Sequence, residues 1–502
     1  MKVMVKASND WTIYEAAHLL NRAGFGGSPS EIESFHQRGR QGAVEWLLEG
    51  AESEVPSAPA WVKGDGRQID SFFEKRKELA GLNPVEREKK RREIQQAAQK
   101  ERKKDGLTLL AWWVNRMRTT DAPLQEKMTL FWHDHFPSST QKVRQPKLMH
   151  RQNELFREEA LGNFGRLTQK VTVDPAMMLY LDSAQSSKQK PNENFARELM
   201  ELFTLGEGNY SETDVKEAAR ALTGFKVNRF NGEVDFRERR WDDGKKVILG
   251  QEGAFDAQGV VEILLAKPEC GIYLAKKIWQ FFGYENPEPD LVRHLGNSFF
   301  KSGYEVKPLL REIFLSQEFY SSRAMNTQIK SPIEFVVMMN RQLELGYLSD
   351  GVLFAVLQQL GQVPFLPPNV AGWDWGKAWV NTNTLLTRYH FAGLVTGAGG
   401  DLDMVVGAMG GQKKKGKAFL NKALQRGLFQ PDYEVLAPRE NREDIPKLVS
   451  DLGFRLFQSP LSEKDRVAFE SYAKAKKGVV FTNTEVAELM HLMMSTPSYQ
   501  LT

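Results

Sequence analysis

Pro191-Asn192-Glu193-Asn194-Phe195-Ala196-Arg197-Glu198-Leu199-Met200-Glu201-Leu202-Phe203 is the stretch that sets the fold class of this chain. At about 100° per residue, Phe195, Leu199, Leu202 and Phe203 gather on one face. Asn194, Glu198 and Glu201 form a narrow polar stripe along its edge, with Arg197 just beyond. The spacing predicts a helix over 195–205 stopped by Gly206, with Asn192 or Asn194 as its N-cap. A polar stripe bordering a buried face is where a helix lines a pocket. Two carboxylates at i,i+3 suit metal ligation or an acid/base pair. They equally suit ion pairs to arginines such as Arg220, which would only fasten helices together.

The same periodicity recurs on both sides. An amphipathic helix is expected over 12–23, ended by Gly24-Phe-Gly-Gly-Ser-Pro, and Ser28 or Ser30 caps a second one running towards Leu48. Residues 86–105 carry nine basic and five acidic side chains, the pattern of a solvated, ion-paired helix. A polyanion-binding arm is the sharper alternative. Residues 107–132 are apolar on one face, with a turn at Asp121-Ala-Pro. Asp174-Pro175 opens a short helix, and Ser211-Glu-Thr-Asp214 is a capping box. Residues 225–253 alternate apolar and charged side chains (Val227, Phe230, Val234, Phe236), as a small β-hairpin would. Helices resume at Ala257. Leu310–Tyr320 and Leu489–Tyr499 share apolar spacing and a Ser-x-x-x-Tyr ending. Two copies make a reused helix-ending motif, not a solenoid.

The fold class is therefore mainly α, a multi-helix globular array with a small β-hairpin insertion. The expected division is N-terminal helices packing on the core (1–60), a charged helical insertion (61–105), a main helical domain (106–398), a Gly/Lys linker (399–417) and a C-terminal helical segment (418–502). The β-ribbon near 225–253 and a tryptophan-rich loop at 362–379 belong to the main domain.

Composition bounds the function. The chain has 502 residues, 41% hydrophobic, with eleven tryptophans, as in a globular protein of several cores. A net charge of +4 makes no general case for nucleic acid or membrane binding. A single cysteine, Cys270, excludes an internal disulfide and a cysteine-rich zinc site. No apolar run reaches the ~18 residues of a membrane span. The N-terminus lacks an apolar core of signal-peptide length, so the chain as written reads as cytoplasmic, or as a mature or truncated form. No phosphate loop, nucleophile elbow or dinucleotide fingerprint is present.

Trp132-His133-Asp134-His135-Phe136 places two of the eight histidines two residues apart. On a helix such neighbours diverge by about 200°, whereas on an extended segment they share a face. Pro137 is expected to fray the helix by about His133 and leave the pair extended. His133 and His135 are then candidate ligands for one divalent transition metal, Zn, Cu, Fe or Ni. The third ligand stays open among His18, His150, Asp134, Asp182, Glu198 and Glu201. The competing reading is a pair buried for structure.

Asp182, before a polar loop at 183–191, could reach the same site. His18 and Arg22 stand one turn apart on the first helix and are candidate substrate contacts with Asn194, Arg197 and Trp373. The tryptophan-rich loop, with Asn369, Gly372, Trp373 and Trp379, could stack on sugar rings or plug a domain boundary.

Several segments together resemble a large, mostly bacterial family known as domain of unknown function 1800. They are His18-Leu-Leu-Asn-Arg-Ala-Gly-Phe-Gly, Phe131-Trp-His-Asp-His-Phe136, Tyr180-Leu-Asp182, Pro191 to Gly206, Ala219-Arg-Ala-Leu-Thr-Gly224, Lys330-Ser-Pro-Ile-Glu334 and Pro367-Pro-Asn-Val-Ala-Gly-Trp373. The resemblance covers most of the chain and implies a largely helical fold. It brings no settled activity. Members often look exported, implying an exported or periplasmic location, and their genes often neighbour those of a sulfatase-like family. That context implies polysaccharide or envelope work and a sulfatase-like partner. One departure is Trp241 before Asp242-Asp243-Gly244, where members often carry His.

The resulting expectation is a metal-dependent hydrolase or oxidase acting on carbohydrate or another envelope polymer. His133, His135 and one carboxylate would hold the ion, and Glu198, Glu201 or Asp182 would move protons. The alternative is a non-enzymatic scaffold that docks the sulfatase-like partner.

Overall fold

Helix starts are written into this chain as short polar caps, and the structure uses them. Thr12, Ser28, Asn83, Ser211, Ser331, Asn381 and Thr482 each accept a bond from the N3 backbone, whose own side chain reaches back to the cap. These reciprocal boxes satisfy amide groups that a helix leaves free at its first turn. The computed structural model describes residues 5–7, 10–50, 57–63, 78–79, 81–228, 231–401, 404–405, 430–476 and 481–502. Among them are 22 α-helices and two two-stranded antiparallel sheets, a mainly α fold.

The charged stretch and the apolar one after it form a single 36-residue helix, Pro84–Thr119. Its first half is solvated, and its second buries Leu109, Leu110, Trp112, Trp113 and Met117. The turn at Asp121-Ala-Pro then leads into Pro123–His135. The Leu310 and Leu489 echoes both end in a 3-10 turn, Glu318–Tyr320 and Ser498–Gln500.

Three local expectations are corrected. The helix expected from Ser28 towards Leu48 is two, Pro29–His36 and Gly39–Glu49, divided where Gly39 takes φ +68°. The single β-hairpin is two separate ribbons: Phe225–Val227 pairs with Val234–Phe236, and Lys246–Ile248 with Gln251–Gly253. The segment at His133 and His135 is helical to its last residue, not extended. Pro137 restricts only the residue directly before it, Phe136, which leaves the helix at φ −114° and ψ 65°. Most of the Gly/Lys stretch at 399–417, and Phe230, lie outside the described residues.

A continuous apolar core runs from Ala16 to Tyr499. Pro123–His135 sits inside it with every residue buried except Gln125, packed on Ile13–Ala23, Pro84–Thr119 and Pro146–Glu158. Pro268–Phe282 and Pro289–Lys301 meet at Gly271 and Gly296. A Cβ on Gly271 would stand 2.6 Å from Gly296 O, and one on Gly296 2.5 Å from Ile272 Cα, so only glycine allows this approach. The C-terminal residues run antiparallel to 328–330: Thr502 N donates to Gln328 O (2.8 Å) and Lys330 N to Gln500 O (2.8 Å). Among the described residues no helix is long and apolar enough to cross a membrane.

Candidate functional site

Three successive side chains at the end of Pro123–His135 each bond a backbone group distant in sequence. His133 Nε2 accepts from Phe365 N (3.0 Å), so its proton is on Nδ1. Its ring lies among Trp113, Phe365 and Trp373. His135 Nε2 donates to Phe203 O (3.0 Å), so its lone pair is on Nδ1, which is buried without a partner among the described residues. Its ring stacks on Phe131 at 5.9 Å. Burial pushes His133 down to about 3 and His135 well below the usual imidazole value, aided by the charge on Lys277. Both are neutral.

One histidine thus fastens the tryptophan loop and the other the end of the Glu193–Glu201 helix. His133 keeps no free lone pair, and the one on His135 Nδ1 does not meet the His133 ring, because a helix turns i and i+2 apart. The pair does not fit one shared ion in this geometry. Among the described residues no group of three His, Cys, Asp or Glu side chains is placed to hold a metal.

Asp134, between them, also points at the loop. Its Oδ1 accepts from Trp373 N (2.8 Å). Gly372, at φ +85°, lies so close that a Cβ there would meet Asp134 Oδ1 at 2.3 Å. With His133 this carboxyl seats residues 362–379 over the core. Beneath the loop lies a cleft with a cavity of about 20 Å³, room for a water molecule. Its walls come from Asp134, Gln328, Ser331, Glu334 and Gln362, and from Trp373, Trp375 and Trp379. Trp373 and Trp379 are buried, while Trp375 keeps 40% of its surface exposed beside Phe281.

The two carboxyls of this cleft are tuned apart. Burial pushes Asp134 up to about 7, against the pull of the Trp373 amide and Lys277. Burial also pushes Glu334 up, but Lys127 and the Ser331 cap outweigh it and hold Glu334 below the usual carboxylate range. Glu334 pairs with Lys127 and its Oε2 accepts from Ser331 N (2.8 Å). Lys277, on Pro268–Phe282, is drawn down to about 8 by burial, against the Asp134 charge.

The acidic stripe faces elsewhere. Glu201 accepts from Tyr210 OH (2.5 Å), and half-buried Glu198 is raised by burial and then by Glu201. Neither pairs with Arg220, which binds Asp242 and Glu217. Asp182, at φ +60°, pairs with Lys142 at 2.7 Å. Asn194 Nδ2 donates to Leu181 O (3.3 Å), and Arg197 forks onto Glu212 (2.5 and 2.8 Å). His18 Nε2 donates to Phe319 O (2.9 Å), beside a buried Arg22 bonded to Ala324 O (2.6 Å) and Gln328. Of the substrate contacts expected from sequence, Trp373 lines the cleft, Arg22 reaches it through Gln328, and His18, Asn194 and Arg197 do not line it.

Sequence reasoning named Asp134 only as a spare metal ligand and gave Glu334, Lys277 and Trp375 no chemical part. The signal available was in the motifs themselves: an acid between two neutral rings, and a Ser-Pro-Ile-Glu box joined to the tryptophan loop among the family-like segments. The model of the family described as protein of unknown function (DUF1800) matches residues 18–501. The chain belongs to that family. The residues of the cleft, from Asp134 to Trp379, fall inside the matched span. Neither curated proteins nor solved structures give a match.

Proposed function

We propose that this family member binds a carbohydrate polymer at the tryptophan cleft and hydrolyses a glycosidic bond there. The observation that carries the reading is a tryptophan, Trp375, with 40% of its surface exposed at a cleft lined by two carboxyls, one holding its proton near neutral pH and the other ionised. Tryptophan faces stack on the apolar faces of sugar rings. Carboxyls with separated pKa values divide the acid and base roles.

Asp134 donates its proton to the glycosidic oxygen as the C–O bond breaks. A water in the cavity adds to the anomeric carbon, and its proton passes to Glu334. The negative charge of Glu334 also offsets positive charge developing on the sugar ring. Oε1 of Glu334 is engaged by Lys127 and Oε2 by Ser331, but each carboxylate oxygen has a second lone pair for the water. The expected metal has no common donor position at His133 and His135, and no step runs through one.

The test is a panel of soluble polysaccharides read by tryptophan fluorescence and by release of reducing ends. Trp375→Ala should weaken binding, and Asp134→Asn should bind but not cleave. Native-like turnover by Asp134→Asn, or no polysaccharide altering the fluorescence, would sink the proposal. A second reading, a scaffold docking a sulfatase-like partner, is favoured by the purely structural bonds of His133 and His135. It would show as no release of reducing ends from any polysaccharide of the panel by the native protein.

A further inference from the structure

Behind the cleft, four buried cations surround a single carboxylate. Arg22, Lys127, Lys330 and Arg388 are each at most 2% exposed, and all four feel the charge of Glu334. Lys127 takes Glu334 as its ion-pair partner. The other three bond only neutral groups in the described residues. Arg22 bonds Ala324 O and Gln328, Lys330 bonds Tyr499 O at 2.6 Å, and Arg388 bonds Lys330 O at 2.8 Å and Gln500 Oε1 at 3.1 Å. The Nε of Arg22 and of Arg388 are buried without partners there. Buried cations lacking counter-charge are costly: burial draws Lys330 down to about 7, so it is only partly charged near neutral pH, while Arg22, at about 9, and Arg388, at about 10, keep their charge and carry the excess.

That excess lies against the cleft wall. Arg22 holds Gln328, Lys330 sits between Ile329 and Ser331, and Gln328, Ile329 and Ser331 all face the cavity. Two acids stand at the mouth: Asp374, beside Trp375, and Glu285, packed on Gly376. Both are exposed, where water and salt screen them, while the cations behind the wall are not screened. Low-dielectric walls focus such a field into the cleft. The ion pair of Lys127 with Glu334 adds little net charge.

We propose that the cleft takes an anionic group, so that the polymer is an acidic polysaccharide bearing carboxylate or sulfate. This rests on the carbohydrate reading above and names its substrate class. Field from behind the wall acts on the ligand through Gln328 and Ser331, making Arg22, Lys330 and Arg388 positioning residues for specificity.

The experiment compares matched pairs by tryptophan fluorescence at ~0.15 M salt: dextran sulfate against dextran, and oligogalacturonate against its methyl ester. The native protein should bind a charged member at least tenfold tighter than its neutral twin. Which pair responds tells sulfate from carboxylate. Inorganic sulfate should raise the melting temperature more than chloride at equal ionic strength, as a ligand of the folded state does. Arg22→Gln should lose most of the preference while still binding the neutral member. Should that variant not fold, the native comparison and the sulfate shift decide. Equal binding of both members overturns this inference and leaves the carbohydrate reading standing. No binding of any member overturns both. A preference unchanged in folded Arg22→Gln overturns the part assigned to the buried cations.

Discussion

Asp134 is where residue chemistry and function meet. Its carboxyl keeps a proton up to about pH 7 in the fold, against an ordinary value of 3.8. The folded state therefore binds more protons than the unfolded chain across that interval, and stability falls as pH rises from about 4 through 7. Asp134→Asn keeps an oxygen for Trp373 N and has nothing to ionise. In urea unfolding it should gain on the native protein between pH 4 and 8 by on the order of a few kcal/mol; a pH-independent difference would disprove the buried-acid assignment. Cleavage should also fall about tenfold per unit above pH 7, as the acid form is lost. For the histidines the expectation concerns bonds. His133→Phe strips Phe365 N–H of its acceptor and should cost about 1–3 kcal/mol. Its metal content, measured on tag-free protein, should equal that of the native protein; a drop would restore the metal reading. The sequence showed that these residues mattered but not what they touch, because ring direction follows from whether Phe136 or His133 ends the helix.

At the scale of elements, local rules were readable wherever local bonds decide. The capping box at Ser211 and the turn at Asp121-Ala-Pro fall where the sequence placed them, and of the two serines offered as a cap it is Ser28 that serves. Misreadings came where a partner distant in sequence intervenes. The helix stays intact through His135 because Trp132 Nε1 bonds Ala160 O at 3.0 Å and Phe203 O takes the His135 proton. The tryptophan loop was legible as a loop, and its seat was not, since Gly372 needs Asp134 against its backbone. Gly372→Ala tests that seat. A left-handed φ is strained for alanine, and its methyl would stand 2.3 Å from Asp134 Oδ1. The loop should lift, raising fluorescence quenching of its tryptophans by acrylamide and abolishing polysaccharide binding, with helical circular dichroism unchanged. Native-like quenching would show that loop and carboxyl are not coupled.

Across the whole molecule, the cleft is assembled from segments that no local pattern links: the histidine helix, residues 328–334, the tryptophan loop and, behind them, the C-terminal turn. Its charge excess was invisible in the sequence, where Arg22 stands out only as a substrate contact one turn from His18, and Lys127, Lys330 and Arg388 are ordinary basic residues in a balanced chain. Only packing buries them together. The C-terminal residues are central to that packing. Tyr499 O takes the Lys330 ammonium, the Tyr499 ring lies 4.0 Å below it, Gln500 holds Arg388, and the backbone pairing of Thr502 fixes Gln328. Removing residues 498–502 would leave two buried cations short of acceptors and one cleft wall unpinned. Each unpaired buried group costs about 1–3 kcal/mol, more when charged. Deletion should therefore lower unfolding stability by several kcal/mol and abolish ligand-induced fluorescence change, although every cleft tryptophan remains. A deletion variant that binds polysaccharide as the native protein does would show that the wall at 328–331 holds its shape without the C-terminal turn, and that the cleft belongs to the tryptophan loop and Asp134 alone.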